Sequence, residues 1–311
     1  MRRGQAEKEE RVEKGKKRGS LPPVNGKHKP PSEGIAGTDM AAPPPALVVV
    51  DKKAKNEKML EAAYVDDFEQ VKILAEIAEI DARDEIGYSA LMRFVECGNP
   101  EAVEFLAGKG ADVNSADKDG ITALMLAISY NETETVELLV EKGAEINVSD
   151  DYGTSTLDYA VKNGNYDMVE FLIDNGATPE SADSKGVTTL MLAVKHNQMD
   201  IADLLIEKKA DVNDVDVKGR NAVFYAVENE NYEILEMLMD AGADFDAPDE
   251  DGITPLMVAA RNEETDIAEL LVEKGADVNA IDENDKGAID HAKEKGNEEM
   301  VKFLKENGAM E

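Results

Sequence analysis

The sequence has no tryptophan, and aromatic residues make up only 5% of its 311 positions. Any core must therefore be built from Leu, Ile, Val, Ala and Met. A single cysteine, Cys97, excludes an internal disulfide framework and a Cys-rich zinc site. The three histidines, His28, His196 and His291, stand far apart, which argues against a His-based metal site. No stretch approaches the ~18 consecutive apolar residues of a membrane span. The opening MRRGQAEKEERVEKGKKRGS lacks the apolar segment of a secretory signal. Neither GxxxxGKS nor GxxxxGKT occurs, so nucleotide binding through that phosphate loop is excluded. Basic residues are scarce as well: 34 Lys and Arg against 67 Asp and Glu leave a net charge of −33. That balance makes nucleic acid and anionic membranes poor partners for the chain as a whole. The expected setting is soluble, reducing and cytoplasmic.

The charge is unevenly spread. Residues 1–50 hold 10 basic against 6 acidic residues, net +4, which leaves −37 for residues 51–311. The same 50 residues contain seven of the eleven prolines. Low hydrophobicity and paired prolines cannot bury enough apolar surface to offset chain entropy, so residues 1–50 are expected to form a disordered, basic, Pro-rich tail. The apolar run Leu47 to Val50 either packs on the folded part or forms nothing. The run Lys14-Gly-Lys16-Lys17-Arg18 leaves nuclear import as an alternative location, a solvated tail being the simpler reading. Met40 is a second plausible start.

What the chain does have is a repeat with a period of 33 residues. Gly-Ala recurs at Gly110, Gly143, Gly176, Gly242, Gly275 and Gly308, with Lys209-Ala210 filling the missing slot. A second glycine column runs Gly87, Gly120, Gly153, Gly186, Gly219 and Gly252, and breaks at Asp285. Three residues before each stands an aspartate: Asp84, Asp117, Asp150, Asp183, Asp216, Asp249 and Asp282. These mark units at 84–116, 117–149, 150–182, 183–215, 216–248 and 249–281, and a truncated unit at 282–311. A degenerate first unit occupies about 51–83. Each unit reads as two short helices. In 117–149, Thr122 caps ALMLAIS, and ETVELLVEK carries the stripe Val136, Leu139 and Val140 before Gly143 ends it. Helices this short are unstable alone, so neighbouring units must bury one another.

The string Gly252-Ile-Thr254-Pro-Leu256-Met-Val-Ala259, followed by Leu270-Leu271-Val-Glu-Lys-Gly275-Ala-Asp-Val-Asn279, resembles the ankyrin-repeat signature GxTPLHxAA…LLxxGADVN. The resemblance covers residues 84–311. It implies an all-α solenoid: a right-handed stack of helix pairs with β-hairpin-like loops on one side. There are departures. The signature histidine is replaced by Met92, Met125, Met191 and Met257, by Asp158 and Asp290, or by Phe224. The methionines read as core filling, which puts the histidine's hydrogen-bond network in doubt. Phe94 replaces a small alanine, so its unit is expected to pack differently, and Lys209 is expected to strain its loop. The asparagines Asn114, Asn147, Asn213 and Asn279 read as turn formers, although the family admits hydroxylation there.

No catalytic chemistry is visible. The Asp-rich loops resemble calcium loops but have Leu126 where a bidentate Glu would stand, so they read as tight turns. Cys97 reads as a semi-exposed bystander. The protein is expected to be no enzyme, to need no cofactor and bind no metal, and to act as a monomeric interaction module.

Counting each initial Asp as position 1, the resemblance implies contacts at positions 2, 3, 5, 13, 14 and 33. These hold nine basic and nine acidic residues, so the implied face is balanced while the rest of the domain is strongly acidic. Lys162, Lys185, Lys195, His196, Lys218, Arg220 and Arg261 form a basic middle, and Tyr88, Tyr130 and Tyr152 an aromatic end. The expected partner is a protein segment with apolar and acidic residues, held by a scaffold, adaptor or inhibitory subunit. Positions 18 and 21, acidic in seven and six units, build an outer stripe on the second helices. It serves solubility and capping, or supports an alternative: capture of basic partners by nucleic-acid mimicry.

Overall fold

The computed structural model of the chain describes residues 45–310, with side chains from residue 52. The expectations for the basic run, for Met40 and for the rest of residues 1–44 lie outside the described residues. Among the described residues there are sixteen helices and no strand. The first pair is α1 (Pro45–Tyr64) and α2 (Phe68–Leu74). Helical structure thus begins inside the segment expected to lack it. A proline at the first helical position gives up an N–H that would have had no partner, and its fixed φ suits the helix.

Seven further pairs follow, one per unit. They are α3 (Ala90–Cys97) and α4 (Pro100–Gly108), α5 (Ala123–Ser129) and α6 (Thr133–Glu141), and α7 (Thr156–Lys162) and α8 (Tyr166–Asp174). Next come α9 (Thr189–Lys195) and α10 (Met199–Glu207), then α11 (Ala222–Glu228) and α12 (Tyr232–Asp240). The last are α13 (Pro255–Asn262) and α14 (Thr265–Glu273), and α15 (Ala288–Lys295) and α16 (Glu298–Glu306). Extensive helix contacts join a pair to itself or to its immediate neighbour, so the domain is a linear stack.

Local chemistry explains each element. The hydroxyls of Ser89, Thr122, Ser155, Thr188 and Thr254 accept the N–H three residues on, which starts the first helix of five of the seven units. Those helices are buried between neighbours and are apolar nearly all round. The second helices bury one stripe, and their central leucines (Leu106, Leu139, Leu172, Leu205, Leu238, Leu271 and Leu304) are all 0% exposed. The methionines that replace the signature histidine are at most 1% exposed. Their sulfurs also take over part of the missing network. The Thr188 and Thr254 N–H groups donate to Met191 and Met257 Sδ at 3.5 and 3.4 Å. Asp158 and Asp290 do the same with carboxylates, accepting from Ser155 and Gly287 at 2.9 and 3.1 Å. Phe94 is fully buried and meets Phe68 edge-on at 5.8 Å, tying the second pair to the first. Lys209 does adopt the strained left-handed conformation, at φ 77°.

The loops are built by the initial aspartate. In all seven units its Oδ1 accepts the N–H groups of positions 3 and 5, as Asp183 does from Lys185 and Val187. Isolated antiparallel bridges such as Ala116–Thr122 and Ala182–Thr188 close five of these loops, giving them their hairpin-like form. Successive tips are then linked by a ladder in which position 2 donates to position 3 of the unit before. Examples are Ser184 N–H to the Tyr152 carbonyl, Val217 to Lys185, and Glu250 to Lys218. Close approach at this ladder explains one glycine: a Cβ on Gly153 would lie 2.8 Å from the Ser184 nitrogen.

The asparagines are not simple turn formers. Asn114 donates to the Gly143 carbonyl of the next unit and accepts from Glu145 N–H, and Asn147, Asn213 and Asn279 repeat the pattern. They are rivets between units.

Candidate functional site

Positions 1, 5, 10 and 13 of a unit share one face, because their side chains touch. In unit 216–248 the Tyr225 hydroxyl donates to Asp216 Oδ2 at 2.7 Å. Arg220 also holds Asp216 Oδ2, at 2.9 and 3.1 Å, and reaches across to Glu228 at 3.1 Å. Burial alone would raise the Asp216 carboxyl. Hydrogen bonds from Tyr225, from the Arg220 and Lys218 backbone and from the Arg220 guanidinium outweigh it, holding the group below the ordinary carboxylate range. Arg220 is therefore part of the framework. Its side chain is only 20% exposed, so it is no free basic contact, and reversing its charge would break the loop it braces.

The same device recurs in every second unit. Position 10 is Arg93, Tyr159, Tyr225 or His291 in units 84–116, 150–182, 216–248 and 282–311, and each reaches the second oxygen of its initial aspartate. Position 5 or 10 also grips position 13: Arg93 to Glu96, Lys162 to Thr154, Arg220 to Glu228 and Lys286 to Glu294. Burial, then the aspartate partner, pushes the Tyr159 and Tyr225 phenols well above their ordinary range, so both stay protonated donors.

The intervening units have no such clamp. Positions 5 and 10 are Ile121 and Leu126, Val187 and Leu192, and Ile253 and Val258, which leaves a small apolar window in each. Position 13 there is Ser129, Lys195 or Arg261. The stack thus carries a period of two units superimposed on the 33-residue repeat. Reading each position against its nearest neighbours missed this period, although the sequence contains it. Position 22 is Phe105, Phe171, Met237 and Phe303 in the clamped units, and Leu138, Leu204 and Leu270 in the open ones.

The other expected contact residues fall into three groups. Tyr152, Lys185 and Lys218 are exposed on consecutive rungs of the loop ladder, Tyr152 at 65%. Lys162, Lys195, His196 and Arg261 are exposed at the ends of α7, α9 and α13. Tyr88 and Tyr130 are half-buried, and Tyr88 lies under the Arg93 guanidinium at 4.4 Å, so the aromatic end is less open than its composition suggests. The acidic residues at positions 18 and 21 are all exposed on the second helices.

Outside the clamps, cations differ in whether they are paired. Lys109, Lys142, Lys208 and Lys274, at the C-caps of the second helices, each pair with an acidic residue of the preceding unit. Among the described residues, Lys185, Lys195, Lys218 and Arg261 make no ion pair, in a domain where acidic groups outnumber basic ones.

Elsewhere the chemistry is quiet. Burial, with Asp66 and Glu96 nearby, pushes the Cys97 thiol up to about 11, far from the thiolate a nucleophile needs. A small hollow of about 80 Å³ lies between loops at Asn147, Ser155 and Thr178, and no ionisable side chain lines it. Among the described residues no cluster of three or more His, Cys, Asp or Glu side chains could hold a metal, and no helix is long and apolar enough to cross a membrane.

A family model described as ankyrin repeats (3 copies) matches residues 59–150, 109–183, 157–249 and 224–310. No curated protein matches the chain.

Proposed function

Because the chain belongs to the ankyrin-repeat family, whose members are generally protein–protein interaction modules and typically non-catalytic, we propose that it holds a protein segment against its inner helices and loop tips. A scaffold, an adaptor or an inhibitory subunit would work in this way. The supporting observation is the set of unpaired cations at Lys185, Lys195, Lys218 and Arg261. The chain carries 67 acidic against 34 basic residues, yet these four make no ion pair, which leaves them free for carboxylates brought by a partner. Reversal of both Lys195 and Arg261 to Glu is expected to weaken partner capture at least fivefold. Thermal unfolding should stay nearly unchanged, since exposed surface substitutions shift stability by no more than about 0.5 kcal/mol. Undiminished capture by the double variant would remove this reading.

A second reading rests on the exposed carboxylates at positions 18 and 21, whose outer stripe would attract basic partners as nucleic acid does. Salt separates the two. Capture by the stripe should fall steeply with ionic strength, and capture by a face with apolar windows much less. We read the protein as a cytoplasmic monomer, in keeping with its lone, half-buried thiol.

A further inference from the structure

The alternation of clamped and open units narrows the kind of partner, on the premise that the inner face is the binding face. We infer that this face takes an extended protein segment in which an apolar residue beside an acidic one recurs about every six residues. In the clamped units the polar groups at positions 1, 5, 10 and 13 are largely spent on one another, as in the Asp216–Arg220–Tyr225–Glu228 network. The open units offer what is left. Ile121, Val187, Leu192 and Ile253 are half-buried, packed against the core with edges open to solvent. Two of the three windows stand beside an unpaired cation, Lys195 or Arg261.

The spacing follows from packing. First helices of adjacent units lie side by side, and packed helices sit about 8–10 Å apart. Windows in alternate units are then roughly 16–20 Å apart, five or six residues of extended chain at about 3.3 Å each. An even step also returns the side chain to the same side of an extended segment, since its side chains alternate. Between windows the segment crosses the clamped pairs Lys162–Thr154 and Arg220–Glu228. An extended backbone has N–H and C=O groups free to meet those polar heads, whereas a helix has spent its own. Apolar side chains would enter the windows, and carboxylates would meet Lys195 and Arg261.

Synthetic peptides test this with the full chain. One carries three Leu-Glu pairs at six-residue intervals, a second the same composition at four-residue intervals, and a third a helix-forming sequence with the pairs eleven residues apart. Fluorescence anisotropy should show the six-residue peptide binding at least fivefold tighter than the other two. The Lys195→Glu, Arg261→Glu variant should lose that advantage. Equal binding of the six- and four-residue peptides, both weakened by the double variant, would overturn the spacing and leave the charged face standing. Tightest binding by the helical peptide would overturn the extended conformation. Binding of the six-residue peptide that is absent, or indifferent to the double variant, would overturn the inference, and in the latter case the inner-face reading with it.

Discussion

Leu205→Ala is expected to cost the stack about 3 kcal/mol, within the range for emptying a fully buried leucine site. Leu205 is 0% exposed and lies in the last turn of α10, whose unit packs between two neighbours. The expected consequence is more specific than lost stability. In a linear stack each unit is supported only by its neighbours, so damage at one place uncouples the arrays on either side of it. Unit 183–215 is poorly placed to absorb damage. Glu180 occupies the slot where an asparagine rivets other units together, and Lys209 carries a strained φ of 77°. Urea unfolding of Leu205→Ala, followed by circular dichroism, should show two transitions where the parent shows one. A single transition that moves as a whole would mean that the units are coupled over longer distances than nearest-neighbour packing allows.

Glu264→Gln is expected to stabilise the protein by about 2 kcal/mol at pH 7. Both carboxylate oxygens of Glu264 are buried; Asn262 stands near enough to lower the carboxyl slightly but makes no hydrogen bond of ordinary geometry with either, and the cost of such unsatisfied groups is about 1–3 kcal/mol. Gln198 occupies the same position of its unit and shows what the site accepts: its Nε2 donates to the Val161 carbonyl at 2.7 Å, where the preceding unit's first helix ends, and its Oε1 stays buried without a partner, so the amide leaves one atom unsatisfied and not two. The corresponding carbonyl for Glu264 is that of Val227, to which a carboxylate has nothing to donate. Burial raises the Glu264 pKa, Asn262 opposes the shift, and the charge on Glu230 adds to it. The folded protein therefore keeps this proton to higher pH than the unfolded chain does. Between those two pKa values the native state binds more protons, so stability falls as pH rises from the ordinary carboxylate range through the folded pKa. The amide removes that loss. The advantage of Glu264→Gln over the parent should be largest near neutrality and should shrink toward pH 4. Thermal melts across that range check it, and a pH-independent gain, or a destabilised variant, would contradict it.

Much of the fold is legible in the residues because one physical problem is solved seven times. Each unit must start a turn, cap a helix, bury a leucine and stop, so Asp, Gly, Thr or Ser, and Leu return at fixed intervals. Interactions between units were less legible. The asparagine rivets join residues 29 and 31 positions apart, and the same asparagines, taken alone, look like turn residues. Arg220 shows the same limit at the candidate site. Like Lys195 it is a cation at an implied contact position, yet the neighbouring Tyr225 and Glu228 turn it into a brace. Whether a cation is free depends on which acidic residues share its face, and that is a property of the fold.

The central claim is that this line of units holds another protein along its inner face. Covalent footprinting of the chain with and without a captured protein tests it most directly. The account predicts protection at Tyr152, Lys185, Lys195 and Arg261, with Glu170 and Glu236 on the second helices as reactive as before. Protection of Glu170 and Glu236, with Lys195 and Arg261 unchanged, would contradict it.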